Sequence, residues 1–240
     1  MVTGTSRLEL LSIGDKGWGD EFLGGMWITL QISSAAYLVG ICLGLIGAGA
    51  KLSGFRPGLW VAEAYTTIVR AVPELLLILL LFYAGNSAFK ALLAELTGGG
   101  TVDVNPFLAA VIALGFVQGA YTTEVFRGAI LSVPRGQMEA ARAIGMPASL
   151  RLRRILLPLM LRYALPGLSN LWLNILKDSS LVSVVGFSDL LFTGKTAAAS
   201  TKLYFFFLSV TAAAFLVLNL GSNLVIRLIE RRASRGFEPS

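Results

Sequence analysis

Three windows of this chain, Phe22 to Ala50, Val104 to Thr123 and Leu203 to Ile226, contain no Asp, Glu, Lys or Arg. About 20 mostly apolar residues in a helix suffice to cross the hydrocarbon core of a bilayer, so each window is a membrane-span candidate. Two more stretches are nearly as apolar but carry embedded charge: Leu59 to Ala84, with Glu63, Arg70 and Glu74, and Ile155 to Lys177, with Arg162. Composition agrees, since 55% hydrophobic residues against 14% charged, with mean hydropathy +0.73, lie outside the usual soluble range. The expected fold class is an all-α membrane protein with five transmembrane helices near 22–50, 59–84, 104–130, 155–178 and 203–228. These spans form one domain over 22–230, between a polar N-terminal segment (1–21) and a short tail (231–240).

The net charge of +6 is explained by topology rather than by nucleic acid. Lys51 and Arg56 follow the first span, Arg135, Arg142, Arg151, Arg153 and Arg154 the third, and Arg227, Arg231, Arg232 and Arg235 the fifth. The opposite loops are nearly neutral, with Lys90, Glu95 and Asp103 in one and Asp189, Lys195 and Lys202 in the other. The positive-inside rule then places the N-terminus outside and the C-terminus in the cytoplasm. Residues 1–21 lack the basic start and short apolar core of a cleavable signal, so the first helix is expected to serve as the insertion signal. A single cysteine, Cys42, permits no intrachain disulfide and reads as a packing thiol. Histidine is absent, which removes the commonest general base and metal ligand, and no metal site is expected.

Catalytic motifs are equally scarce. Gly194, Lys195 and Thr196 match the tail of a phosphate-binding loop, but that loop needs a glycine where Asp189 stands, and the triplet reads as a polar turn. The distinctive polar feature is the Arg-rich island EAARAIGMPASLRLRRILLP, Glu139 to Pro158. A helix is expected from Gln137 to Ile144, with Glu139 near its N-terminus, where the helix dipole favours a carboxylate, and with Gly145 and Pro147 ending it. A second amphipathic turn interleaves Leu150, Leu152, Ile155 and Leu156 with arginines. On these residues alone, lipid anchoring at the interface and docking of a soluble partner stand about even.

The spacing within this 134–154 loop and its exit resembles the EAA loop of permease subunits of bacterial ABC importers: Glu139, Ala140 and Ala141, three residues to Gly145, nine to Ile155, then Leu157 and Pro158. TTIVRAVPELLLILLLFY (Thr66 to Tyr83), GAYTTEVFRGAILSVPRGQMEAA (Gly119 to Ala141), LKDSSLVSVVG (Leu176 to Gly186) and GAGAKLS (Gly47 to Ser53) resemble the polar amino acid branch of those permeases. Within it, the chain is similar to the Q-type subunits of histidine, lysine/arginine/ornithine, arginine or octopine/nopaline importers.

The resemblance implies a type I importer permease fold and a division of labour. A second homologous permease, in a heterodimer, completes the pore; two ATP-binding subunits hold ATP and Mg, no cofactor belonging to this chain; and a periplasmic binding protein delivers the amino acid. The chain itself is then a non-catalytic subunit of the bacterial inner membrane. Glu139, Ala140, Ala141, Arg142 and Gly145 would form the coupling helix seated in a cleft of the ATPase, with Gly145 making the bend that follows.

Intramembrane polar groups suggest the substrate path, because each costs roughly 2.5–3.5 kcal/mol near a helix centre on insertion scales. Glu63, Thr67, Arg70 and Glu74 follow helical spacing on one stripe, with Pro73 expected to kink the span; the alternative is a structural Arg70–Glu74 pair. Gln118, Tyr121 and Thr122 share a face of the third span, bordered by Glu124, which Arg127 can neutralise. Asn170, Asn174 and Asp178 line the fourth, loosened by Pro166 and Gly167. For a cationic amino acid, Glu74, Glu124 or Asp178 would meet its charge. Gly44, Gly47 and Gly49 fit close helix packing, and Tyr204 with Phe205, Phe206 and Phe207 fits an interfacial aromatic belt. Two other functions compete: a self-sufficient secondary transporter or channel, and a scaffold that recruits an ATPase without transporting.

Overall fold

The computed structural model describes residues 9–14, 17–85, 87, 95 and 105–233, all of whose regular elements are helical. Lys90, Asp103 and Arg235 lie outside the described residues. Helix α1, Gly19–Leu52, runs 34 residues, about 50 Å at 1.5 Å per residue. It is apolar all round, yet what it buries is a narrow stripe of mainly small residues: Gly25, Thr29, Ser33, Ala36, Gly40, Gly44, Gly47 and Ala48. Leu23, Trp27, Leu38 and Ile46 point away from the bundle, as does Cys42, which is exposed rather than packed.

The small stripe meets α4, Pro106–Leu131, the central helix of the bundle. Asn105 caps it, its Oδ1 accepting from the Phe107 N–H at 2.9 Å, and Pro106 occupies the first turn where no N–H is needed. Cβ atoms placed on Gly40 and Gly44 would lie 2.9 Å from the Gln118 side chain and 2.6 Å from Thr122 Cβ. Gly47 packs equally closely on Thr123, whereas Gly49 faces open space. Glycine therefore sets the α1–α4 separation at three positions, one of which, Gly40, the expected trio omitted.

The second span is not one helix. Helix α2, Arg56–Ala71, ends at Val72, whose φ of −96° and ψ of 142° are the extended values that a following proline imposes. Helix α3, Glu74–Leu80, then leaves at 113° to α2 and closes in a π-helical turn, Leu81–Gly85. Pro73 breaks the segment where a kink was expected, and Glu74 no longer shares a stripe with Glu63, Thr67 and Arg70.

After α4 come two short surface helices, α5 (Arg135–Ala143) and α6 (Ala148–Arg151). A π-helical turn, Leu152–Leu156, leads into α7, Leu157–Asp178, with Pro158 in its first turn and Pro166 inside it. A 3-10 turn, Ser179–Val185, is stopped by Gly186 at φ +82°. Residues expected to form a loop then build α8, Leu190–Thr201, so Gly194, Lys195 and Thr196 are helical and not a polar turn. The Asp189 Oδ1 caps α8 by accepting from Phe192 N–H at 2.8 Å. Helix α9 spans Tyr204–Ala233. Its aromatic start divides: Phe205 is 89% exposed, but Phe207 is fully buried, stacked on Phe22 and edge-on to Trp18. Phe207 is thus a core residue joining α1 and α9, outside the expected aromatic belt. Helices α1, α4 and α9 are long and apolar enough to cross a membrane, and the bent α2–α3 pair passes the same test if taken as one span.

Candidate functional site

Helix α5 carries the Glu139 segment on the protein surface. Glu139 and Ala140 are exposed while Ala141 is buried, so the helix offers one side to solvent and rests on the other. Its end is a Schellman motif: the Met146 N–H donates to Ala141 O at 3.0 Å and the Gly145 N–H to Arg142 O at 2.9 Å. Gly145 supplies the required left-handed conformation, φ +74°. Arg151 Nη1 donates to Met146 O at 2.6 Å, so this arginine fastens the turn behind α5 instead of reaching for lipid. Arg142 and Ile144 remain exposed, the latter by 77%, leaving an apolar and a basic group beside Glu139.

A second site lies among α3, α4 and α7. Glu74, Gln118, Tyr121, Leu171, Asn174 and Asp178 line a cavity of about 120 Å³. The α3 helix brings Glu74, α4 brings Gln118 and Tyr121 one turn apart, and α7 brings Leu171, Asn174 and Asp178 at helical spacing. Gln118 is buried and oriented by its Nε2 donating to Leu171 O at 3.1 Å. Arg70, in the last turn of α2, sits 5.8 Å from the Tyr121 ring centroid, a cation-π contact between α2 and α4. The lining therefore combines two carboxylates with neutral hydrogen-bonding groups, and a volume small beside the 300–1,000 Å³ typical of ligand pockets. Five of the seven expected substrate-path residues meet here.

The other two do not. Thr122 is fully buried against α1, where its methyl and Cβ meet Gly44. Glu124 belongs to an ion cluster: its Oε1 accepts from Lys51 Nζ at 2.5 Å, and its Oε2 lies 3.4 Å from Arg127 Nε. Lys51 also reaches Glu63 Oε2 at 3.1 Å and Thr66 Oγ1 at 2.7 Å.

This chain, with a surface helix ended by glycine and a helical bundle that holds a polar cavity, matches a known family by sequence. The model for binding-protein-dependent transport system inner membrane components covers residues 40–235. The chain belongs to this family. This permease is 44% identical over 230 residues to the nopaline transport system permease protein NocQ of Agrobacterium fabrum, covering 95% of this chain and 98% of that one. It is 42% identical over 222 residues to the histidine/lysine/arginine/ornithine transport system permease protein HisQ of Escherichia coli, covering 92% and 97%. A crystal structure of an amino acid ABC transporter with histidines superposes with a TM-score of 0.79 at 30% identity, covering 96% of this chain and all of that one. The permease is an ABC importer subunit of the inner membrane, from a family that works with an ATPase and a binding protein.

In the sequence Lys51 reads only as a topology signal. Its partners lie 12 to 73 positions away, and no periodicity joins them; the one available signal was a lysine at the end of a span facing two span-embedded glutamates. Pro73, Pro158 and Pro166 all act through helix geometry, at the α2–α3 break, the start of α7 and the interior of α7.

Proposed function

We propose that this permease, paired with a homologous second permease in a heterodimer, forms the translocation path of an ATP-driven importer for polar amino acids of cationic type, or opines. Five spans, with the N-terminus outside and the C-terminus cytoplasmic, place α5 on the cytoplasmic face, where Glu139 to Gly145 seat in one of two ATPase subunits. ATP and Mg are bound there, a periplasmic binding protein delivers cargo, and this chain contributes no catalysis. Glu139 meets a basic group, Ala140 permits close backbone approach, and Arg142 flanks the contact.

The observation that carries the cargo reading is the cavity. Glu74 and Asp178 give it anionic character, while Gln118, Tyr121 and Asn174 supply donors and acceptors that fix orientation, the arrangement suited to an ammonium or guanidinium group. Relatives that carry nopaline or histidine, lysine, arginine and ornithine have cargo of this chemistry. Uptake of labelled arginine against labelled glutamine tests it in proteoliposomes holding the assembled transporter. Asp178→Asn and Glu74→Gln should each lower arginine uptake about tenfold, ~1.4 kcal/mol, and glutamine uptake far less. Equal loss for both cargoes would remove the basis for a cationic substrate.

A further inference from the structure

The Lys51 cluster has no part in the cavity and is not explained by topology. Its ammonium is all but sealed, with 2% of the side chain exposed, whereas Glu124 is 27% and Glu63 50% exposed. A lysine has three N–H donors, and this one has three acceptors on two other helices: Thr66 Oγ1 and Glu63 Oε2 on α2, and Glu124 Oε1 on α4. Thr66 is itself oriented, since its hydroxyl donates to Ala62 O at 3.0 Å and leaves its lone pairs to Lys51. Burial alone does not call for such an arrangement, because well-packed apolar residues usually do as well as a buried ion pair or better. What the cluster adds is a directional, three-helix tie.

Its location gives the tie a purpose. Arg127, paired with Glu124, is one turn before α4 ends at Leu131, and only Ser132, Val133 and Pro134 separate that end from α5. Val133 is buried, so the link is anchored. In the other direction α2 runs uninterrupted from Glu63 and Thr66 to the break at Val72–Pro73. Beyond the break are α3 and Glu74, on the cavity wall.

We propose that Lys51 is a positioning residue for energy coupling: it clasps α2 to the part of α4 that enters α5, so that displacement of α5 carries α2 as a lever up to the Val72–Pro73 hinge and moves Glu74 at the cavity. This rests on the proposal that α5 receives the ATPase stroke.

The test uses the full complex in proteoliposomes, measuring cargo taken up per ATP hydrolysed, together with the distance between spin labels at Ile68→Cys and Gly136→Cys in a Cys42→Ser background. Both label sites are exposed. With Lys51 intact the label distance is the same with and without ATP, since α2 follows α5. In Lys51→Met, uptake per ATP falls at least about fivefold, the lower end of usual coupling factors, and the label distance changes between nucleotide states. Glu63→Gln, at the half-exposed member, shows the same two effects more weakly and stands in if the Lys51→Met complex cannot be recovered. Unchanged uptake per ATP together with an unchanged label distance, in Lys51→Met or failing that in Glu63→Gln, overturns the clasp. If the wild-type complex takes up no amino acid, the transport reading fails instead, and the label distances still judge the clasp.

Discussion

Replacing Gly44 by alanine should loosen the whole bundle, although the added methyl suits both lipid and helix. An ideal Cβ there lies 2.6 Å from Thr122 Cβ, 2.6 Å from Thr122 Cγ2 and 2.9 Å from the Thr122 carbonyl carbon. Ordinary carbon contacts are near 3.5–4.0 Å, and the obstructing atoms are backbone and the stiff root of a β-branched side chain, so α1 and α4 must separate. Overpacking of this kind costs about 1–3 kcal/mol or more, against which the better helix propensity of alanine returns about 1 kcal/mol. Gly49→Ala is the internal control: the same substitution in the same helix, with nothing within 4 Å, keeps the propensity gain without the clash. Because the propensity gain is common to both, the two variants should differ by the overpacking cost, about 1–3 kcal/mol, or roughly 2–12 °C in Tm at 2–4 °C per kcal/mol. Thermal melts of the detergent-solubilised protein measure this, and adding Thr122→Gly to Gly44→Ala should recover only part of the loss, since the carbonyl carbon of residue 122 still stands 2.9 Å from the added Cβ and a glycine inside α4 costs about 1 kcal/mol. Equal Tm values for Gly44→Ala and Gly49→Ala would refute the idea that glycine sets the α1–α4 distance.

Three further outcomes are expected. Burial pushes the Asp189 carboxyl up to about 6 from its ordinary 3.8, and its Oδ2 is buried without a hydrogen-bond partner. The folded state therefore favours the protonated form, so Asp189's contribution is full below pH 4 and is lost as pH rises through about 6; melts from pH 4.5 to 7.5 should show this slope, and Asp189→Asn should flatten it. Glu139→Lys should abolish retention of the ATPase on the purified permease, as read by co-elution in size-exclusion chromatography, while leaving the permease's own Tm unchanged. Gly145→Ala meets no steric obstacle but must hold φ +74°, which costs roughly 1–2 kcal/mol. Binding-protein-stimulated ATP hydrolysis should fall in Gly145→Ala and fall less in Gly145→Asn, since asparagine tolerates the left-handed region.

The long helices were legible because uninterrupted apolarity over 20 residues has few other uses. The window 22–50 corresponds to α1 at Gly19–Leu52, and 203–228 to α9 at Tyr204–Ala233. The surface helix was legible through its stop signal, since Gly145 followed by Pro147 permits little else. Interruptions were harder. Pro73 announces a disturbance, but no local pattern carries the 113° angle between α2 and α3. Helix α8 escaped because its buried face, Leu190, Thr193, Gly194, Ala197 and Ala198, holds only one large apolar residue, too few to produce an apolar period. The cavity residues could be nominated from helical spacing, one span at a time, yet nothing in that spacing separates Glu74 and Asp178, on the cavity, from Glu124, held by Lys51. That distinction is tertiary. It depends on a lysine 73 positions from its glutamate, brought there by the glycine stripe that lets α1 and α4 run side by side.

The central claim, that this permease moves amino acids only when an ATPase drives it through α5, is tested most directly by uptake of labelled arginine into proteoliposomes. These hold the chain with its partner permease and ATPase, with ATP inside the vesicles and the binding protein supplied outside with the arginine. Uptake should require ATP and the binding protein together, and should vanish in Glu139→Lys. Arginine accumulation by the two permease chains with the ATPase left out would contradict the account.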